Sequence, residues 1–342
     1  MGGGSAPRGR KSVDMEKIGV IGGGSWATAI VKILLENVES VGWYVRNEQT
    51  RASLRETGHN PNYLSDVHFP SARLCIYDDV NVLARDCDII FMVVPSAFLA
   101  EWLKPLTADL THAFVVTSIK GIVPEHHLTP SEYLKQHFGL SYSRMGVVSG
   151  PCHAEEVALE RLSYLTVTCK ELEWAARVSR LLRSSYIRTI EGQDIYGTEY
   201  SAILKNIYAV AAGVCHGLGY GDNFQAVLIS NAQDEITRFL NQSYPAERDT
   251  NTSAYLGDLL VTCYSQFSRN RTFGAMIGKG YSVKSAQLEM KMVAEGYYAT
   301  AGLHAINQEH GIRMPIAERM YNILYEGRSV RREMSDLLAE LK

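Results

Sequence analysis

The chain has 342 residues, of which 46% are apolar and 21% charged, and its formal net charge is −3. That leaves room for two domains with ordinary globular cores, and the interleaving of acidic and basic residues offers no broad field to nucleic acid or to an anionic membrane surface. Six cysteines without CxxC spacing exclude a zinc ribbon, a thioredoxin-like motif and a secreted disulfide scaffold, and favour a reducing cytoplasm.

Residues 1–14 are rich in glycine, serine and basic residues and lack a signal-peptide core, so they read as a flexible tail. No apolar run approaches the roughly 20 residues that span a bilayer, and a soluble protein without stable membrane insertion is expected. Residues 15–193 read as a Rossmann-type α/β domain. Its first strand, Lys17 to Ile21, runs into Gly22-Gly23-Gly24-Ser25-Trp26-Ala27, and Thr28 to Leu35 reads as a helix. In this G-x-G-x-x-A spacing Gly22 permits a tight turn, Gly24 lets backbone approach a pyrophosphate, and Ala27 keeps helix close to sheet. Phosphate then meets free amides at the helix start.

The next strand, Val41 to Val45, ends in Arg46-Asn47 where an Asp or Glu would select an unphosphorylated ribose. Arg46 can cover the adenine face, meet a 2′-phosphate or be a solvated strand-end charge, so both NAD and NADP stay open. Further strands at Arg73 to Tyr77, Asp88 to Val94, Ala113 to Ser118 and Met145 to Val148 imply a parallel, doubly wound sheet. Ligands lie beyond the carboxyl ends of such strands, which puts Ser96 and Lys120 near a nicotinamide and its substrate. The loop Ser149-Gly150-Pro151-Cys152-His153 exposes backbone amides at the same edge. Adjacent Cys152 and His153 lack an acidic orienter, so they are expected to line or pack under the site and not to form a nucleophilic pair.

From about residue 194 to 342 the chain reads as a helical domain, with helices near 194–217, 222–241, 253–265, 268–278, 283–290, 294–309 and 315–326. Lys205 stands in a weakly charged helical run that continues through the small and apolar residues Ile207 to Gly213. An ammonium buried there loses hydration, and its pKa falls toward the range of proton exchange; a lysine that snorkels past small neighbours is the alternative. Two loops then carry polar groups: Leu256 to Thr262, where Asp258 either caps the following helix or serves a site, and Ser268-Arg269-Asn270-Arg271, which offers a guanidinium fork and amides to a phosphate dianion. No His, Cys or carboxylate cluster has ligand spacing, so no metal is implied.

Taken in order, Gly-Gly-Gly-Ser-Trp-Ala-Thr-Ala at 22–29, Val-Pro-Ser at 94–96, Lys120-Gly121, Ser-Gly-Pro at 149–151, Leu-Lys-Asn at 204–206, Gly-Asp-Leu at 257–259 and Ser-Arg-Asn-Arg at 268–271 resemble the NAD(P)-dependent glycerol-3-phosphate dehydrogenases. The resemblance runs from about Lys17 to about Arg328 and includes Asn60-Pro61-Asn62-Tyr63-Leu64, Ala294-Glu295-Gly296 and Met314-Pro315-Ile316. It implies reversible hydride transfer between NAD(P)H and dihydroxyacetone phosphate, giving sn-glycerol 3-phosphate for phospholipid synthesis or redox balance. Lys205 matches the acid/base, with Lys120, Asn206, Asp258 and Thr262 around it. Ser268, Arg269 and Asn270 match the phosphate-binding residues, and Gly150 and Cys152 line the substrate. Cofactor contacts fall on Gly22, Gly24, Ser25, Trp26, Arg46, Tyr63, Ser96, Lys120, Ala154, Arg269, Val293 and Glu295. A homodimer is implied as well.

Ser201-Ala202-Ile203 replaces a usual Gly-Gly-Ala and predicts a wider helix approach; Cys152 replaces a Ser or Thr, and Ser230-Asn231-Ala232 a stretch that usually carries an arginine. Two other functions fit the same domains: another hydroxyacid or hydroxyacyl dehydrogenase, and a nicotinamide-binding sensor without turnover. The first requires no Arg-Asn phosphate pair, and the second has no use for a proton-exchanging lysine.

Overall fold

A computed structural model of the chain describes residues 16–290 and 292–342; the expected tail over 1–14 lies outside the described residues. The first half alternates strands and helices: β1 (Ile18–Ile21), α1 (Ser25–Leu34), β2 (Val41–Tyr44), α2 (Glu48–Glu56), β3 (Leu74–Tyr77), α3 (Val80–Asp86), β4 (Ile89–Met92), α4 (Leu99–Leu103) and β5 (Phe114–Thr117). It continues through α5 (Pro130–Phe138), β6 (Met145–Ser149), α6 (Ala154–Ala158), β7 (Ser163–Cys169), α7 (Leu172–Leu182) and β8 (Ile187–Gly192). The strands form one sheet in the order β3-β2-β1-β4-β5-β6-β7-β8. The strand order reverses between β1 and β4, so the connections that leave these two paired strands run to opposite sides and leave a crevice beyond their carboxyl ends. Strands β1, β2, β4, β5 and β6 are buried throughout, as a sheet covered by helices on both faces requires.

Two strands were not anticipated. Of these, β7 runs antiparallel to β6, and β8 closes the edge parallel to β7. Most of β8 is exposed or half-buried, which removes the apolar run that marks a central strand. Helix α1 begins at Ser25, three residues before the expected Thr28, because the chain enters its first turn directly from extended Gly24.

The second half is helical: α8 (Ile195–Gly217), α9 (Asp222–Ser243), a π-helical turn (Ser253–Gly257), α10 (Asp258–Tyr264), α11 (Arg269–Gly278), α12 (Val283–Glu289), α13 (Glu295–His310), α14 (Pro315–Leu324) and the unanticipated α15 (Val330–Leu338). The two polar segments fall on the helices expected near 253–265 and 268–278 and not on separate loops: Asp258 opens α10, and Ser268 caps α11 by accepting a hydrogen bond from the Arg271 amide at 3.3 Å. Helix α8 is buried on every face except at its ends. Its start is pinned by Asp194, which accepts from the Gly197 amide at 3.0 Å, from Tyr255 Oη at 2.6 Å and from Arg248 Nε at 2.8 Å.

Against α11 the backbone of α8 comes close enough to exclude side chains. A Cβ on Gly213 would overlap the Arg271 carbonyl, one on Gly274 the Val210 carbonyl, and one on Gly278 the Val214 carbonyl. Ser201, Ala202 and Ile203 are fully buried, and the close approach lies further along the helix at these glycines. Two buried carboxylates fasten α8 and α9 to neighbouring helix starts. Glu199 accepts from the Ser131 amide in the first turn of α5 at 3.1 Å, and Glu235 accepts from the Ile316 amide of α14 at 2.6 Å and from Tyr208 Oη at 3.1 Å. Burial pushes the pKa of each up to about 7 against those hydrogen bonds. Asn231 donates to the carbonyls of Val227 and Lys342 at 2.9 and 3.0 Å, fastening α9 to residue 342.

Gly274→Val forces a branched side chain into the Val210 carbonyl and is expected to destabilise the protein by about 2–3 kcal/mol. Urea unfolding with an unchanged slope and a lower midpoint would show it; an unchanged midpoint would contradict the close approach.

Candidate active site

At the β1–α1 turn, Gly22 adopts φ +142°, and any Cβ there would overlap the Val93 carbonyl. Gly24 faces open space and caps α1 with no side-chain hydrogen bond, which leaves the first amides of the helix unpaired. Open space over free amides at the positive end of a helix dipole suits a pyrophosphate. Ser25 opens the helix, and Trp26 Nε1 donates to Ser118 Oγ at 2.7 Å beyond β5. Sequence reasoning assigned no role to Asn60, which is fully buried and donates to the Gly23 carbonyl at 3.1 Å and to Thr28 Oγ1 at 2.9 Å, bracing the turn.

The two lysines converge on one carboxylate. Lys205 Nζ, on α8 and 5% exposed, donates to Asp258 Oδ1 and to Thr262 Oγ1, the latter at 3.0 Å. Lys120 Nζ reaches from the loop after β5 to Asp258 Oδ2 at 3.1 Å and to the Gly150 carbonyl at 2.8 Å. Asp258 is 1% exposed and makes no capping bond, so the alternative reading as a helix cap is overturned: its side chain faces the lysines. Ser149 Oγ adds a longer bond to Asp258 Oδ2 at 3.3 Å, a contact no motif signalled.

One buried carboxylate cannot balance two ammonium groups. Burial pushes the pKa of Lys205 down to about 7, with the Asp258 carboxylate opposing and Lys120 reinforcing the shift. For Asp258, burial raises the pKa, but Lys120 and Lys205 together outweigh it and hold the carboxylate ionised. Lys205 is therefore the group here that gains and loses a proton near neutrality. Snorkelling to solvent does not occur.

Around this pair runs a chain of side-chain amides. Asn206 Nδ2 donates to the Lys120 carbonyl at 2.5 Å, Asn270 Nδ2 to Asn206 Oδ1 at 2.8 Å, and the Gly296 amide to Asn270 Oδ1 at 2.8 Å. Asn270 and Ser268 are buried, whereas Arg269 is exposed and its guanidinium has no hydrogen-bond partner among the described residues. Ser96 donates its amide to Glu295 Oε1 at 2.9 Å and its hydroxyl to Oε2, tying the turn after β4 to the start of α13; Val293 lies two positions before that helix, ahead of its N-cap Ala294. Burial raises the pKa of Glu295. Ala154 is buried at the start of α6, and Tyr63 is half-buried in the loop beyond α2, apart from this hydrogen-bond network. Arg46 lies outside the network at the end of β2, where it pairs with Glu101 at 2.8 Å.

Cys152 is pushed up to about 12 by burial and so remains a thiol at neutral pH. Burial and the neighbouring lysines hold the His153 imidazole at about 4, and its Nε2 has no partner among the described residues. Neither residue is activated as a nucleophile. No group of three or more metal-ligating side chains occurs among the described residues. A surface concavity of about 620 Å³ lined by Lys32, Leu64, Phe69 and Glu160 shares no residue with the lysine cluster.

An uncapped glycine turn at the crevice of a Rossmann sheet, and a helical domain that brings a proton-exchanging lysine to the same edge, place the protein among the two-domain dinucleotide-dependent dehydrogenases. Residues 17–175 match the family described as NAD-dependent glycerol-3-phosphate dehydrogenase N-terminus, and residues 194–335 match the corresponding C-terminus. A glycerol-3-phosphate dehydrogenase [NAD(P)+] of Limosilactobacillus reuteri is 34% identical, over 94% of this chain and 97% of that protein. One from an Exiguobacterium strain is 36% identical, over 95% of both. The crystal structure of glycerol-3-phosphate dehydrogenase from Coxiella burnetii superimposes with a TM-score of 0.86 at 29% identity, covering 94% of this chain and 98% of that one. The chain belongs to the NAD-dependent glycerol-3-phosphate dehydrogenase family.

In Asp258→Asn the Lys205 ammonium loses its counter-charge, and its titration moves to a pH below that of the parent. NMR of protein labelled with ¹⁵N-lysine is expected to show one lysine titrating near pH 7 in the parent and at lower pH in the variant. A parent Lys205 that titrates near 10 would contradict the charge balance described here.

Proposed function

We propose that this chain catalyses reversible hydride transfer between NAD(P)H and dihydroxyacetone phosphate, giving sn-glycerol 3-phosphate, with Lys205 as the acid/base. The observation that carries the reading is the buried Lys205–Asp258–Lys120 cluster at the carboxyl edge of the sheet. When bound, the dinucleotide supplies or accepts the hydride.

The chain's own residues handle charge and protons. In reduction, hydride arrives at C2 of the ketone, and the carbonyl oxygen takes a proton from Lys205 Nζ as its charge develops; in oxidation, neutral Lys205 removes the proton from the alcohol. Asp258 orients Lys205 and Lys120, and Thr262 fixes the Lys205 rotamer by accepting one of its protons in a hydrogen bond. Lys120 polarises the carbonyl. Arg269, with Ser268 and Asn270, takes the phosphate, consistent with the unpaired guanidinium of Arg269 beside buried Asn270. Asn206 acts indirectly, by holding the backbone of Lys120.

No helix among the described residues is long and apolar enough to cross a membrane. A cytoplasmic homodimer supplying glycerol phosphate for phospholipid synthesis completes the proposal. Its cysteines are all unpaired, as a reducing compartment requires, and Leu260, Tyr264 and Phe267 expose apolar surface on and after α10. Light scattering on the purified protein tests the dimer.

Oxidation of NADH and NADPH with dihydroxyacetone phosphate is the direct assay. Lys205→Ala is expected to lower kcat about 10²- to 10⁴-fold with KM little changed. Arg269→Ala is expected to raise KM about 10- to 100-fold, with unphosphorylated dihydroxyacetone a poor substrate for either protein. Reduction needs protonated Lys205, so its kcat/KM falls as pH rises through about 7, and oxidation shows the opposite slope. Binding of dinucleotide without turnover would point instead to a sensor.

A further inference from the structure

Whatever discriminates NADH from NADPH acts where the ribose 2′ position falls, beyond the carboxyl end of β2. Arg46 stands there without the acidic residue that usually follows this strand. Its guanidinium is not available as an open cation. Nη1 donates to Glu101 Oε1 at 2.8 Å, and the group lies over the Trp102 ring at 5.3 Å, both partners coming from α4. Two further guanidiniums on α2 are likewise engaged. Arg51 Nε donates to Asp78 Oδ1 at 3.0 Å, with Nη1 on the carbonyls of Val45 and Arg46 at 2.6 and 2.8 Å, and Arg55 Nη2 donates to Asp78 Oδ2 at 2.7 Å.

Each arginine at this strand end is therefore already paired with a carboxylate of the chain. Exposed pairs of this kind contribute little to stability, so their effect is on what can enter. A 2′-phosphate dianion arriving at Arg46 meets the Glu101 carboxylate on the same guanidinium. The backbone that carries Glu101 is held in place, because α4 is anchored by buried Leu99 and Leu103 and Trp102 packs edge-on against Tyr44 of β2 at 6.3 Å, so the carboxylate stays within reach of this strand end. A 2′-hydroxyl, by contrast, finds in Glu101 the acceptor that the strand end lacks.

We infer that Glu101, positioned by Arg46, serves as the ribose-selecting carboxylate, supplied from the neighbouring βα unit, so that the chain selects NADH over NADPH. The inference rests on the dinucleotide binding at the β1–α1 turn. Fluorescence titration is the test, with NADH and NADPH as probes and competition by ADP and 2′,5′-ADP, on the full chain and on Glu101→Gln and Asp78→Asn. The parent is expected to bind NADH about 10-fold more tightly than NADPH or better, and Glu101→Gln to narrow that ratio about 5- to 10-fold, chiefly by tightening NADPH and 2′,5′-ADP. Asp78→Asn, which releases Arg51 and Arg55, is expected to shift the ratio in the same direction and by less. Equal affinities in the parent, or a ratio unmoved by Glu101→Gln, would overturn the inference while leaving the enzyme reading intact. Failure of both dinucleotides to bind would overturn the enzyme reading itself.

Discussion

The sharing of one buried carboxylate by two lysines is the constraint from which the rest of the site follows. Asp258 comes from the helical half, Lys120 from a loop of the sheet, and Lys205 from the most buried helix of the molecule. Because a single anion faces two cations in a low-dielectric setting, one proton of the three groups is loosely held, and burial assigns it to Lys205. The same contact joins the two halves across the edge where a dinucleotide and its substrate would meet.

Holding such a cluster in register takes support from several elements. The Asn206–Asn270–Gly296 chain links α8, α11 and α13 to the backbone of Lys120, and Ser96 and Glu295 form a second link from β4 to α13. Behind them, α8 and α11 meet backbone to backbone at their glycines, so at those positions no side-chain rotamer separates the helix that carries Lys205 from the one that starts at Arg269. Sub-ångström placement of a proton donor depends on this kind of rigid backing.

Much of this was legible in the sequence. The glycine turn, the central strands and the long helices announce themselves by period and by position, and Lys205 by its lack of charged company. What was not legible is instructive. β8 escaped notice because an exposed edge strand has no apolar run, and the single helix expected near 253–265 is in fact a π-helical turn over Ser253–Gly257 followed by α10, a change of winding that no residue pattern marks. Local patterns likewise left Asp258 equally suited to capping a helix and to pairing a lysine; only the tertiary fold, which brings residues 120 and 205 to it, decides. The engagement of Arg46 by Glu101 spans 55 positions and has no sequence signature at all.

The buried ionisable groups also shape how the fold responds to pH. Glu199 and Glu235 titrate near 7 in the folded chain and near 4.5 when unfolded, so the native state binds more protons between those values and stability falls as pH rises through them. Lys205 has the opposite sense. Its folded value near 7 lies below the unfolded 10.5, the unfolded chain binds more protons in that interval, and stability recovers as pH rises from 7 toward 10.5. Asp258, held ionised below its ordinary range, adds a loss only in acid. Together the two glutamates and the lysine place a trough in the stability curve close to neutrality, at the pH where Lys205 is best poised to exchange its proton.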